Sequence, residues 1–150
     1  RPLKEGKWFS KFTSNYLDID NDPLYPFGYG LSYTTFKYGK PTLSSNTMTN
    51  NETISVSVDI TNTGNYDADE IAQMYIRDLA ASVSRPVKEL KGFERISIKK
   101  GETKTVTFTI TPEDLKFYNQ ELEYKNEPGE FEVMVGPNSK DVQTLTFTLK

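Results

Sequence analysis

The stretch TISVSVDITNTG, residues 53–64, alternates strictly, with Ile54, Val56, Val58 and Ile60 on one side of an extended chain and Ser55, Ser57, Asp59 and Thr61 on the other. Successive side chains of a strand point to opposite faces, so this pattern predicts a strand with one buried face. Gly64 and Asn65 supply a turn, and EIAQMYIRDL (70–79) follows, with Ala72, Met74 and Ile76 on one face and Ile71, Gln73, Tyr75 and Arg77 on the other. Apolar area on both faces predicts a central strand. After a loop containing Pro86, the run ELKGFERISIKKGETKTVTFTITP (89–112) reads as two strands joined in hairpin style at Lys100-Gly101, with Val106, Phe108 and Ile110 facing inward.

Thr111-Pro112-Glu113-Asp114 has the order of a helix start: Thr as N-cap, Pro at the first helical position, acids in the first turn. One short helical turn is expected around Leu115. GEFEVMVG (129–136) places Phe131, Val133 and Val135 in phase, and TLTFTLK (144–150) does the same for Leu145, Phe147 and Leu149. With a strand near 35–43 and a short one near 116–118, about seven strands fall in roughly a hundred residues, the pattern of an all-β immunoglobulin-like or fibronectin type III-like sandwich. No strand–helix–strand rhythm is present, which argues against an α/β fold.

The 150 residues carry 18 basic and 21 acidic groups, intermixed, for a net charge of −3. Such a balance offers no single-sign field to draw nucleic acid or an anionic membrane surface. Without cysteine or histidine the chain lacks the residues of disulfide frameworks, usual zinc sites and every histidine-based acid/base pair. No cofactor, metal or catalytic residue is expected. No apolar run reaches the length of a membrane span, and a chain that begins at Arg1 reads as a segment of a longer protein.

Residues 1–33 differ from the rest. Trp8, Phe9, Phe12, Tyr16, Tyr25, Phe27, Tyr29, Tyr33, Phe36 and Tyr38 place ten of the nineteen aromatics in the first quarter of the chain. Disordered linkers are depleted in aromatics, so this segment must be ordered against something. Either it folds back over its own sandwich or it wraps a neighbouring domain; Pro23, Pro26, Gly28 and Gly30 suit an irregular, fixed path in both cases. DIDND (18–22) has the alternating acids of a calcium loop, yet Pro23 and Tyr29 stand where an EF-hand needs glycine and glutamate. A looser site from Asp18, Asp20 and Asp22 is the alternative to a plain solvated loop.

PLYPFGYGLSYTTF (23–36), RPVKELKGFERISIKKGETKTVTFTITPEDLKFYN (85–119) and EPGEFEVMVG (127–136), in that order, resemble the C-terminal region of glycoside hydrolase family 3 β-glucosidases over essentially the whole chain. The resemblance implies a connector at 1–33, leaving catalytic domains of the same parent chain, and a fibronectin type III-like domain at 34–150. It implies that Tyr25, Phe27, Tyr29 and Tyr33 pack at the junction between them. It places the parent's two catalytic carboxylates upstream, so this segment is a non-catalytic accessory domain, periplasmic or secreted. Retaining hydrolysis needs two carboxyls about 5–5.5 Å apart. Glu127 and Glu130, near Pro128-Gly129, fit solvated turn chemistry better than that role. The 78–86 loop, DLAASVSRP, is the part expected to border an oligosaccharide substrate at the active-site rim. An independent carbohydrate-binding module is the alternative, but its usual aromatic platform is missing from the strand pattern and the single Trp lies in the appendage. A protein-adhesion sandwich is the third reading, which the fold alone allows.

Overall fold

The computed structural model describes residues 22–150, and the alternation of the sequence becomes two facing sheets. The first sheet contains β1 (Phe36–Tyr38), β2 (Thr42–Leu43), β4 (Ile54–Asn62) and β7 (Thr103–Ile110). β4 is its spine, flanked by β7 on one edge and by β1 and β2 on the other. The register sets Ile54 opposite Ile110, Val56 opposite Phe108 and Val58 opposite Val106, so the inward residues of the two strands lie side by side. The second sheet runs β3 (Thr47–Met48), β11 (Gln143–Leu149), β10 (Gly129–Gly136), β5 (Ala68–Asp78), β6 (Glu89–Ile98). All pairs are antiparallel except β3 with β11.

The two inner faces meet in one core. Val56, Val58, Ile60, Val106 and Ile110 come from the first sheet, and Ala72, Met74, Ile76, Ile98, Val133 and Val135 from the second. Phe131 and Phe147 stack within it at 5.5 Å between centroids and 17° between planes. The inward phases expected for β4, β7 and β10 are therefore the observed ones. On β11, Phe147 and Leu149 are buried and Leu145 is partly so. β5 is paired on both edges, by β10 and by β6, as its two apolar faces implied.

The expected hairpin at Lys100-Gly101 does not form. β6 lies beside β5 and β7 beside β4, so the link carries the chain from one sheet to the other. Its polar groups are used across the edge of the sandwich. The Gly101 amide donates to the Asn62 carbonyl at 3.0 Å, the Asn62 amide to the Glu102 carbonyl at 2.9 Å, and the Lys100 amide to Asp67 Oδ1 at 2.7 Å. The strand expected near 35–43 is also broken, into β1 and β2, around buried Pro41, which has no amide hydrogen to give a ladder. β8 (Phe117–Tyr118) is the short strand expected near 116–118, whereas β3 and β9 (Tyr124–Lys125) lie beyond the expected set, and β8 with β9 makes a separate two-stranded sheet.

The helical turn is present as a 3-10 helix, Pro112–Leu115, which buries Leu115. Thr111 occupies the cap position, but here its amide and hydroxyl both donate to the Asp114 carboxylate, at 2.8 and 2.7 Å.

Candidate interdomain surface

β5 has two buried faces. Ala72, Met74 and Ile76 enter the core, while Gln73 and Tyr75 point away from it and are nonetheless buried. What covers them is the aromatic-rich segment after Asp22. Pro26, Phe27, Gly28 and Tyr29 form a turn in which the Tyr29 amide donates to the Pro26 carbonyl at 3.0 Å, and Gly28 has φ +79°, the conformation a type II turn requires at its third position. A Cβ on Gly28 would stand 2.0 Å from Gln73 Oε1, so the close approach also needs glycine.

Gln73 is the anchor of this turn. Its Nε2 donates to the Gly28 carbonyl at 3.0 Å and to the Pro137 carbonyl at 2.6 Å, and its Oε1 accepts the Tyr75 hydroxyl at 2.5 Å. Both donors of the carboxamide are thereby used in a buried position, where an unmade bond would be costly. The Ser139 amide donates to the Phe27 carbonyl at 2.9 Å, and the Phe27 ring meets Tyr75 edge-on at 6.5 Å. Burial raises the Tyr75 phenol above its ordinary value, so it stays the donor.

The rings themselves face outward. Tyr25, Phe27, Tyr29 and Tyr33 are 67%, 66%, 45% and 96% exposed, and Leu24 and Leu31 are exposed beside them. Tyr25 and Tyr29 pack on each other at 5.3 Å. Thus the four residues expected at a junction divide in two: Tyr25, Phe27 and Tyr29 surround the docked turn, and Tyr33 stands on the chain leading to β1. A groove of about 580 Å³ opens next to them, floored by Tyr75 and Leu90 and walled by Pro23, Pro26, Phe27 and Val87. The apolar surface continues onto β6, where exposed Phe93 lies opposite Gln73. Gln73, Tyr75 and Phe93 were not among the expected site residues. Their signal is the second face of EIAQMYIRDL, which carries Gln73 and Tyr75 where a solvated sheet would show short polar residues.

Asp18 and Asp20 lie outside the described residues. Asp22 pairs with Lys140 Nζ at 2.9 Å; that hydrogen bond and charge hold its carboxyl below the usual range.

The 78–86 loop is held at its end and at its middle. Arg85 gives Nε and Nη2 to Glu89 Oε1, at 3.2 and 2.6 Å, and lies over the Phe117 ring at 4.5 Å. Burial raises the Glu89 carboxyl, and hydrogen bonds from Arg85 and Lys91 outweigh it, so the net shift is downward. Three residues before Arg85, the Ser82 amide and hydroxyl donate to the Glu127 carboxylate at 3.1 and 2.8 Å. Glu127, expected only as part of a solvated turn, thus braces a loop.

A two-sheet β sandwich with a docked, ring-bearing N-terminal turn is the class that these observations define. Residues 70–139 match the family model of the fibronectin type III-like domain. It is 53% identical over 140 residues to a periplasmic beta-glucosidase of Salmonella typhimurium, covering 93% of this chain and 18% of that one. It is 52% identical over 150 residues to a beta-xylosidase of Formosa agariphila, covering 99% of this chain and 21% of that one. Among solved structures, a beta-glucosidase from Listeria innocua in complex with gluconolactone superposes with a TM-score of 0.87 at 42% identity, over 99% of this chain and 20% of that one. The chain spans about a fifth of the length of the curated relatives it matches.

Proposed function

We propose that this chain is the non-catalytic accessory domain of a β-glucosidase that acts on terminal β-glucosides, fastened to the catalytic domains through Tyr25, Phe27, Tyr29 and Tyr33. The observation that carries the reading is the two-sided connector: its backbone is bonded to the sandwich by Gln73 and Ser139 while its rings remain exposed. Burying a large apolar side chain is worth roughly 1.5–3 kcal/mol, so several rings held outward in a fixed turn make a surface for a partner. On this reading 1–33 is the connector and 34–150 the sandwich, which agrees with Phe36 being the first residue of a ladder among the described ones. The similarity to beta-glucosidases and beta-xylosidases of about five times this length supports a glycosidase as the parent. The periplasmic relative supports a periplasmic or secreted location. The 78–86 loop is assigned to the rim of the active site, where its bracing by Arg85 and Glu127 suits a fixed contact with substrate.

The test is made on the full-length enzyme. Replacing Phe27 and Tyr33 by Ala is expected to lower its melting temperature and soluble yield while leaving turnover of an aryl β-glucoside by the remaining folded enzyme near wild type. The 1–150 chain alone is expected to show no turnover. Hydrolysis by the purified chain, or micromolar binding of cellobiose to it, overturns the accessory reading.

A further inference from the structure

A second aromatic surface lies apart from the connector, on the hairpin of β8 and β9. Two strands of two residues each are too small a sheet to stand alone. Buried Asn119 holds the hairpin instead. Its Oδ1 accepts the amides of Glu121 and Glu123 at 3.1 and 2.9 Å, its own amide donates to the Glu123 carbonyl at 3.1 Å, and its carbonyl accepts the Leu122 amide at 3.1 Å. Leu122, at the tip, is 80% exposed and has φ +61°, a left-handed conformation that branched, bulky residues rarely adopt.

Of the three rings in the hairpin, Phe117 is buried under the Arg85 guanidinium and the other two face outward. Tyr118 and Tyr124 are cross-strand partners, 64% and 51% exposed, with centroids 5.0 Å apart and planes tilted by 43°. The tilt opens the two rings into a shallow V that carries two hydroxyls. Lys125 pairs with Glu123 and Lys116 with Glu113, the Lys116 ammonium lies 6.0 Å from the Tyr124 ring centroid, and Glu121 adds a further acid, so the surface has no basic field to draw a polyanion. Aromatic faces beside hydroxyl, amide and paired carboxylate groups suit a neutral ligand with apolar C–H faces and hydroxyl edges, which is the chemistry of a pyranose. The hairpin is also tied to the rim loop, because Gln120 Nε2 donates to the Ser82 carbonyl at 3.2 Å.

We propose that the Tyr118–Tyr124 hairpin is a stacking subsite for a neutral β-linked oligosaccharide, engaging the part of the chain that extends beyond the bond being cut. This rests on the accessory-domain reading above and adds to it a named contact. It differs from an independent binding module in that a single shallow V gives weak affinity, with Kd on the order of millimolar.

The test is a nuclear magnetic resonance titration of the 1–150 chain with cellohexaose and with laminarihexaose. Saturable shifts confined to residues 117–125 and 80–84 are expected, with Tyr118→Ala and Tyr124→Ala each weakening binding roughly tenfold and Tyr118→Phe retaining most of it. The wild-type map decides the matter even where a variant folds poorly. Absence of saturable shifts at the hairpin, shifts centred on the connector instead, or hairpin signals that broaden with protein concentration before sugar is added, each overturns the proposal. The last result marks the hairpin as a contact between copies. A full-length enzyme that cleaves β-glucosides while the chain binds neither hexasaccharide defeats this inference alone; one without glycosidase activity defeats the reading beneath it.

Discussion

Gln73 Nε2 donates to the Gly28 carbonyl at 3.0 Å, across 45 residues of sequence, and this bond joins the 26–29 turn to the outer face of the sandwich. Gly28→Ala is expected to undock the turn, since a Cβ there meets the Gln73 side chain and φ +79° is strained for alanine. Hydrogen exchange at residues 26–29 should rise sharply while the β4 and β10 amides keep their protection. Gln73→Leu should cost more in global stability, about 1–3 kcal/mol, because it leaves the Gly28 and Pro137 carbonyls without their donor. Unchanged exchange at 26–29 in Gly28→Ala would show that the turn is held by something other than this contact.

The strand phase gives a second, sharper contrast. Phe108 is buried opposite Val56, whereas its neighbour Thr107 faces solvent and shares a hydroxyl bond with Ser57 at 2.8 Å. Phe108→Ala is expected to cost on the order of 3–5 kcal/mol, and Thr107→Ala to stay within about 1 kcal/mol. Urea denaturation of the two variants checks this. Equal losses would mean that the inward face of β7 is misassigned.

A pH dependence follows from Glu70. Burial raises its carboxyl above the ordinary range, and the Tyr38 hydroxyl, donating to Oε1 at 2.8 Å, offsets this only in part. A folded-state value above the unfolded one means that the folded chain holds the proton more tightly. The contribution is therefore full at pH below the unfolded value, about 4.3, and is lost as pH rises through the folded value. Glu70→Gln keeps the acceptor for Tyr38 and removes the charge. It is expected to be more stable than wild type near about pH 7 and to lose that advantage below about pH 4. Denaturation midpoints at the two pH values decide it; a variant less stable than wild type at neutral pH would contradict the raised carboxyl.

What the sequence made legible is what a two-residue period encodes. Ile54, Val56, Val58 and Ile60 announce their buried face because each inward position is apolar and its neighbours are polar, and the same holds for Val106, Phe108 and Ile110. Which strands pair is not written in that period. The Lys100-Gly101 turn has the residues of a hairpin, and only the hydrogen bonds of Asn62, Asp67 and Glu102 send it between sheets. Tyr25, Phe27, Tyr29 and Tyr33 stood out by composition, yet the docking of the 26–29 turn depends on Gln73, whose burial cannot be read from one polar letter in a strand. The Tyr118–Tyr124 pair was hidden because two tyrosines six residues apart have no periodic meaning until Asn119 folds the loop between them.

Asn62 offers the most demanding test of how the two sheets are joined. It is fully buried, and its side chain closes four bonds: Oδ1 accepts the Thr34 hydroxyl at 2.7 Å and the Gly64 amide at 3.1 Å, and Nδ2 donates to the carbonyls of Tyr66 and Ile98 at 2.8 and 3.0 Å. These partners come from the segment just before β1, the β4–β5 link and the end of β6, so one carboxamide gathers both crossovers at one end of the sandwich. Asn62→Ala takes the partner from two carbonyls, an amide and the Thr34 hydroxyl and opens a small void, and is expected to cost about 3 kcal/mol or more. Asn62→Asp keeps the size and both acceptor bonds but sets a carboxylate against the Tyr66 and Ile98 carbonyls. It should therefore be at least as damaging near about pH 7 and recover partly below about pH 4, where the protonated carboxyl regains one donor. Thermal melts of the two variants at both pH values measure this, and an aspartate variant as stable as wild type at neutral pH would show that the carboxamide donors carry no weight in joining the sheets.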